Sequence, residues 1–206
     1  MSNKIERHPF TPFLPENARL VMCGTFPPKP DKWAMNFFYP NFINDMWRIF
    51  GIIFYDDKNR FFNLEEKTIR KADIQETLAS NQIGLCETAR EVIRTKDNAS
   101  DKFLEIVTPI DFSEILPQIP DCHDIATTGE KAASVIASLT NTEIPKMGEY
   151  KDCETIMADG SKRRFRHWRM PSTSRAYPMK LEEKTAYYRN LFISTGIIKE
   201  KTANDV

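Results

Sequence analysis

The chain has 206 residues, 41% of them hydrophobic and 28% charged, with 29 basic against 29 acidic side chains and a formal net charge of zero. That length suits one domain with a full core or two small ones, and the charge balance gives no global argument for nucleic acid. No apolar run approaches a membrane span, and the opening MSNKIERHPF lacks the apolar segment of a secretory signal, so the expectation is a cytoplasmic protein without membrane contact.

Residues 1–17, with three prolines, read as an irregular lead-in. RLVMCGT (19–25) is a short apolar run closed by a turn, the mark of a central strand. FINDMWRIFGIIF (42–54) sets Phe42, Met46, Ile49, Phe50 and Ile53 at helical spacing. NLEEKTIRKADIQETLASN (63–81) reads as a helix capped by Asn63, with Glu66 three residues on. IGLCETA (83–89) and KFLEIVT (102–108) read as strands, and DFSEILPQI (111–119) as a helix capped by Asp111. HDIATTG (123–129) is a strand ending in glycine, followed by the helix EKAASVIASL (130–139). RRFRHWRMP (163–171) is a strand closed by Pro171. Alternation puts Arg163, Phe165, His167 and Arg169 on one face and Arg164, Arg166 and Trp168 on the other, so neither face is apolar and the pattern predicts an exposed edge. KLEEKTAYYRNLFIST (180–195) is the last helix, and 197–206 reads as a flexible tail.

Without repeats or a low-complexity linker, the expected organisation is a single domain over 1–206. Strands that alternate with helices predict an α/β fold of three layers, a central mostly parallel sheet with helices on both faces. Ligands bind such sheets at the carboxyl ends of strands, which singles out GTFPP, LCETA and MPSTSR. The four cysteines, Cys23, Cys86, Cys122 and Cys153, are scattered and read as reduced thiols. The histidines, His8, His123 and His167, lack zinc-ligand spacing, so no zinc site is expected. Charge is uneven along the chain. Five basic residues stand against twelve acidic from Lys96 to Glu154, and nine against two from Gly160 to Arg189. That polarity would steer an anionic partner to one face.

CGTFPP, FYPNFINDMW and MPSTS, in that order, resemble the motifs of the uracil-DNA glycosylase superfamily, nearest the branch of mismatch-specific uracil and hypoxanthine (deoxyinosine) glycosylases. Gly24 to Pro28 is similar to that branch's G-S-F-P-G. Phe38 and Tyr39 with Asn44 and Trp47 resemble its Y-Y-x-H-P-x-N-x-F-W, and Met170 to Ser174 its L-P-S-T-S. Gly84 to Glu87 falls where the branch has an A-L-W-D-like strand end. The similarity runs from about Arg19 to Phe192. Departures are specific: Asn41 and Phe42 replace a histidine and a proline, and Pro28 replaces a glycine. Phe26 stands where the uracil enzymes carry the Asp or Asn that positions the attacking water, and Met170 where their last motif begins with His. The hypoxanthine type also has phenylalanine at the position of Phe26.

The resemblance implies a uracil-DNA glycosylase-like fold. It implies a monofunctional, monomeric enzyme, with neither metal nor cofactor, that flips a deaminated base, hypoxanthine or uracil, out of double-stranded DNA and hydrolyses its N-glycosidic bond. The chemistry needs an aligned water and stabilisation of both a cationic sugar and an anionic departing base. Asn44, at a family motif position, is a candidate to align the water or bond the base; otherwise it bonds its own backbone at a helix start. Glu87 is the carboxylate at a strand end, and otherwise an ordinary surface glutamate. Phe26 with Phe38 or Tyr39 could stack on the base, although aromatics beside Trp47 are more often core. Asn41 could read a base edge, and backbone N–H groups from Gly24 through Thr25 to Phe26 could cradle an anionic atom. Ser172, Thr173 and Ser174 suit phosphate contacts, or else a turn. Arg175 or Tyr177 could fill the gap left by the base. Arg163, Arg164, Arg166 and Arg169 would add phosphate affinity. The alternative is a catalytically silent member of the same fold that only binds nucleic acid or a nucleobase, motivated by Phe26 and Met170.

Overall fold

The computed structural model describes residues 4–95 and 103–200. The first residue of the strand expected over 102–108 and the last six of the tail expected over 197–206 lie outside them. The central sheet has five strands in the order β5 (Ile83–Glu87), β2 (Leu20–Gly24), β8 (Asp124–Thr128), β10 (Lys162–Met170) and β9 (Tyr150–Ile156). The first four run parallel, and β9 pairs antiparallel at the edge. β2 alternates its side chains between two cores, because successive strand residues point to opposite faces. Leu20 and Met22 pack with α1 (Met46–Tyr55), α2 (Lys71–Ser80) and α5 (Leu181–Ser194), through Trp47, Phe50, Leu78 and Phe192 among others. Val21 and Cys23 pack with α3 (Phe112–Ile115) and α4 (Glu130–Thr140), through Phe112, Ile115 and Ile136. Helices therefore cover both faces, and the three-layer α/β architecture read from the alternation of elements is the one present.

Several expectations over shorter spans fail for identifiable reasons. The lead-in carries a strand, β1 (Ile5–Arg7), which joins β6 (Ala89–Arg94) and β7 (Leu104–Pro109) in a separate antiparallel sheet of order β1-β6-β7. Phe13 also exchanges backbone hydrogen bonds with Leu85, at 2.9 and 2.8 Å. Residues 63–81 are not one helix. β3 (Phe62–Asn63) and β4 (Thr68–Ile69) form a hairpin before α2 begins. Asn63 Oδ1 accepts from the N–H groups of Glu65 and Glu66, and its Nδ2 donates to Glu66 Oε2 at 2.9 Å. The reciprocal bonds of a helix cap thus close a tight turn instead, and Lys67 at φ 53° breaks any helical continuation. In the expected tail, Ile197 and Ile198 turn back to donate to the Phe192 carbonyl and pack on the first core.

The strand at 163–171 is not an edge either, since β10 has neighbours on both sides. Most of its cations are paired with carboxylates in place. Arg166 makes a bidentate pair with Asp124 at 2.7 and 2.8 Å, Arg164 pairs with Glu154 and Arg169 with Glu130. Arg163 donates to the carbonyls of Pro120 and Cys122. The basic and acidic stretches of the sequence therefore meet across the sheet, instead of forming a single-sign face.

His167 lies fully buried on β10. The Thr127 hydroxyl donates to the Trp168 carbonyl, so it must accept from His167 Nε2–H at 3.0 Å; Nδ1 then keeps a bare lone pair without a partner among the described residues. Burial holds this imidazole down to about 4 from an ordinary 6.5. The unfolded chain binds a proton near 6.5 that the folded chain refuses, so stability present above that pH is lost as pH falls toward 4. Between pH 7 and 5 the wild type should lose about 2 kcal/mol more stability than His167→Gln, which keeps a donor for Thr127 but cannot titrate; urea unfolding at the two pH values measures this.

Candidate active site

Counted in chain order, the four parallel strands stand second, first, third, fourth across the sheet, so the chain reverses direction between β2 and β8. Such a reversal splays the connections apart beyond the carboxyl ends of the two strands and leaves a crevice. A cleft of about 890 Å³ lies there, lined from β2 by Gly24 to Pro28, from the β5 end by Cys86 and Glu87, and from the β8 end by Thr128 to Lys131. The segments 38–44 and 172–178 close it on the remaining sides.

The segments are held largely by side chains outside the cleft, Trp47, Arg48, Lys184 and Tyr188. Trp47 is buried on α1, and its Nε1–H donates to the carbonyls of Phe38 and Tyr39 at 3.3 and 3.2 Å. Tyr39 takes a left-handed conformation, φ 50°, and its hydroxyl lies 3.0 Å from Thr128 Oγ1. Gly24 makes that crossing possible: a Cβ there would sit 3.3 Å from the Tyr39 hydroxyl oxygen. Arg48 Nη1 donates to the carbonyls of Phe42 and Asn44 at 2.9 and 3.0 Å while its guanidinium lies 4.1 Å above the Phe62 ring. The hairpin that replaces the expected helix thus braces the 41–44 loop through Arg48.

The 172–175 loop is pinned by a buried ion pair. Lys184, fully buried on α5, donates to Asp45 Oδ2 at 2.9 Å and to the Ser174 carbonyl at 2.8 Å. The Asp45 N–H donates to the Thr173 carbonyl at 2.9 Å, and Arg175 approaches Asp45 Oδ1 at 3.5 Å. Tyr188 donates to the Pro171 carbonyl. Ser172 and Ser174 accept backbone N–H bonds two residues on, so both hydroxyls shape the turn they sit in.

Of the side chains singled out from the sequence, Gly24, Thr25, Phe26, Phe38, Tyr39, Asn41, Asn44, Glu87, Ser172, Thr173, Ser174 and Arg175 line the cleft; Arg169 is not among its lining residues. Asn44 Oδ1 accepts from Met46 N–H at 2.9 Å, which leaves one oxygen lone pair and its two amide hydrogens for a ligand. Asn41 does likewise with Ile43 N–H. Phe38 is buried in the first core, while Phe26 is half-buried and packs on the small sheet. Met170 is buried and contributes to the core. Glu87 is 5% exposed, and burial pushes its carboxyl up to about 7, opposed by a hydrogen bond from its own backbone N–H and then by Arg90. Its Oε2 has no hydrogen-bond partner among the described residues.

Sequence reasoning missed His8, Thr128, Gly129 and Lys131, which also line the cleft. The β8 end was legible, because HDIATTG is a strand and its carboxyl edge belongs with the other three. Nothing local marks His8. Among the described residues no group of three His, Cys, Asp or Glu side chains could hold a metal ion, and no helix is long and apolar enough to cross a membrane.

No family model and no curated protein matches the chain. Among solved structures, the solution NMR structure of a "putative Uracil DNA glycosylase" from Methanosarcina acetivorans is similar at a TM-score of 0.61, over 94% of this chain and 99% of that one, with 19% sequence identity. The likeness is one of fold.

Removing one partner of a buried ion pair strands the other charge in a low-dielectric site. Lys184→Met should therefore cost about 3–5 kcal/mol in urea unfolding, and adding Asp45→Asn should recover part of that loss. Equal stabilities of the single and double variants would show that the pair does not brace the loop.

Proposed function

We propose that the protein is a DNA glycosylase of the uracil-DNA glycosylase superfamily, close to its mismatch-specific uracil and hypoxanthine branch. It flips a deaminated base, hypoxanthine or uracil, into the cleft and hydrolyses the bond to deoxyribose. One observation carries this reading. Three motifs distant in sequence, Gly24 to Pro28, Phe38 to Asn44 and Ser172 to Arg175, converge on a single cleft at the strand reversal. The fold shared with the Methanosarcina protein supports it.

The reaction breaks the C1′–N bond, with the electron pair leaving on the base, and adds water to the resulting oxocarbenium ion. So late an attack asks less of a general base than of a group that holds the water in line. Asn44 suits that role because the bond from Met46 N–H fixes its amide: an amide hydrogen can hold the water's oxygen and leave the water's other lone pair facing C1′. The same hydrogens can bond a carbonyl of the base. Phe26 cannot do either, so the burden passes to Asn44 and Glu87. Phe26 and Tyr39 offer faces on which a base can stack. Lys131 and Arg175 bring positive charge to the cleft walls, where flanking phosphates would lie. Arg163, Arg164 and Arg166, occupied within the fold, are not assigned to DNA.

The test is release of free base from duplexes that hold one uracil, hypoxanthine or xanthine. Asn44→Asp keeps the backbone cap and loses the donors, so it should fold with an unchanged Tm yet release base about 10²–10³-fold more slowly. No release from any duplex, together with tight salt-dependent binding, would select the silent-binder reading, which Phe26 favours.

A further inference from the structure

His8 enters the cleft from outside every motif considered so far. Its N–H donates to the Arg90 carbonyl at 2.7 Å, which extends the pairing of β1 with β6 and carries the ring over the end of β5. The ring stacks on Phe38 at 5.6 Å and 28°, and meets Phe26 edge-on at 5.3 Å and 89°. Its Nδ1 lies 3.3 Å from the Phe10 N–H and 3.1 Å from the Phe10 carbonyl, which sets the ring's orientation. The same nitrogen lies 3.9 Å from Glu87 Oε2, in contact but beyond hydrogen-bond distance.

Two groups favour the charge of that carboxyl, its own backbone N–H and Arg90 on β6, but Arg90 is paired with Glu114 at 2.8 Å, and burial outweighs both. On the paired strand ends beneath Glu87, the sulfurs of Cys23 and Cys86 lie 3.1 Å apart, and burial with the neighbouring thiol keeps Cys86 protonated. Desolvation holds the imidazole of His8 down to about 4, so it is neutral at physiological pH and supplies no cation. Glu87 Oε2 is therefore a buried oxygen without a hydrogen-bond partner among the described residues, under an aromatic cover and on the wall of a cleft large enough for a base.

We propose that His8 is a positioning residue for Glu87: its neutral ring keeps water from the carboxyl, so that Glu87 meets the extruded base as an un-ionised acid and donates its O–H to an acceptor atom of that base. The proposal rests on the glycosylase reading above. As negative charge develops on the departing base, this hydrogen bond strengthens, which is where such a donor contributes most. Deprotonation removes the donor and puts like charge beside the leaving group, so activity should decline through neutrality as pH rises.

Two measurements on the full chain test this. Carbon-13 NMR follows the Glu87 side-chain carboxyl directly: the wild-type midpoint should lie near 7, that of His8→Ala lower by about one pH unit as water enters, and that of His8→Phe near wild type because the cover is kept. Single-turnover base release should show the same alkaline limb in the wild type. His8→Ala should move that limb down, slowing release roughly fivefold at pH 7, and Glu87→Gln, which keeps a donor, should lack it. If release is robust but its pH dependence is the same in all of these proteins, the positioning proposal fails and the glycosylase reading stands. If no protein releases base while His8→Ala still lowers the carboxyl midpoint, the hold of His8 on Glu87 is upheld and the glycosylase reading falls. An unmoved carboxyl midpoint in folded His8→Ala overturns the proposal outright.

Discussion

The arrangement of the cleft depends on one buried ion pair, Lys184 with Asp45. Lys184 comes from the last helix, Asp45 from the start of the first, and both also donate to the same loop, the ammonium to the Ser174 carbonyl and the Asp45 N–H to the Thr173 carbonyl. Burying two charges gains little net stability, because desolvation offsets most of their attraction. What the pair supplies is geometry. An ammonium with fixed acceptors cannot slide, so the 172–175 turn and the 41–44 turn are held in register although some 130 residues separate them in sequence.

A second constraint is the reversal of strand order between β2 and β8. It opens the crevice, and every surrounding segment then uses the backbone to close it. Trp47 bonds the carbonyls of 38 and 39, Arg48 those of 42 and 44, Lys184 that of 174, and Tyr188 that of 171. Side chains facing the core thus fix backbone, and backbone presents the side chains facing the cleft. This division lets Asn44 and Asn41 anchor their own turns through their side-chain oxygens and keep donors for a ligand.

The small β1-β6-β7 sheet has no part in the three-layer architecture, yet it changes the chemistry of the cleft. β5 runs into β6 after a single residue, Thr88, whose N–H and hydroxyl both bond the Gly24 carbonyl. The carboxyl at the end of β5 is therefore roofed by the side sheet and by the residue that follows β1, where an ordinary strand end would be wet. Glu87 becomes a group that titrates near neutrality because of what covers it.

Alternating apolar runs and helical stripes were enough to read the α/β class, the parallel core strands and the strand ends where a ligand would bind. These features follow from local periodicity, which each segment carries within itself. The motif order was legible too, and most of its residues share one cleft, while Trp47 and Met170 lie in the core. Three things were decided only by tertiary structure. Asn63 and Glu66 make the same local bonds in a helix cap or a tight turn, and the pairing of Phe62 with Ile69 selected the turn. The arginines of β10 look like an exposed basic strand until Asp124, Glu154 and Glu130 arrive from distant segments to pair with them. His8 is an unremarked residue in a proline-rich lead-in until strand pairing with β6 sets it 3.9 Å from Glu87. In each case a long-range partner settles the outcome, and the identity of such a partner is absent from the local pattern that a sequence displays.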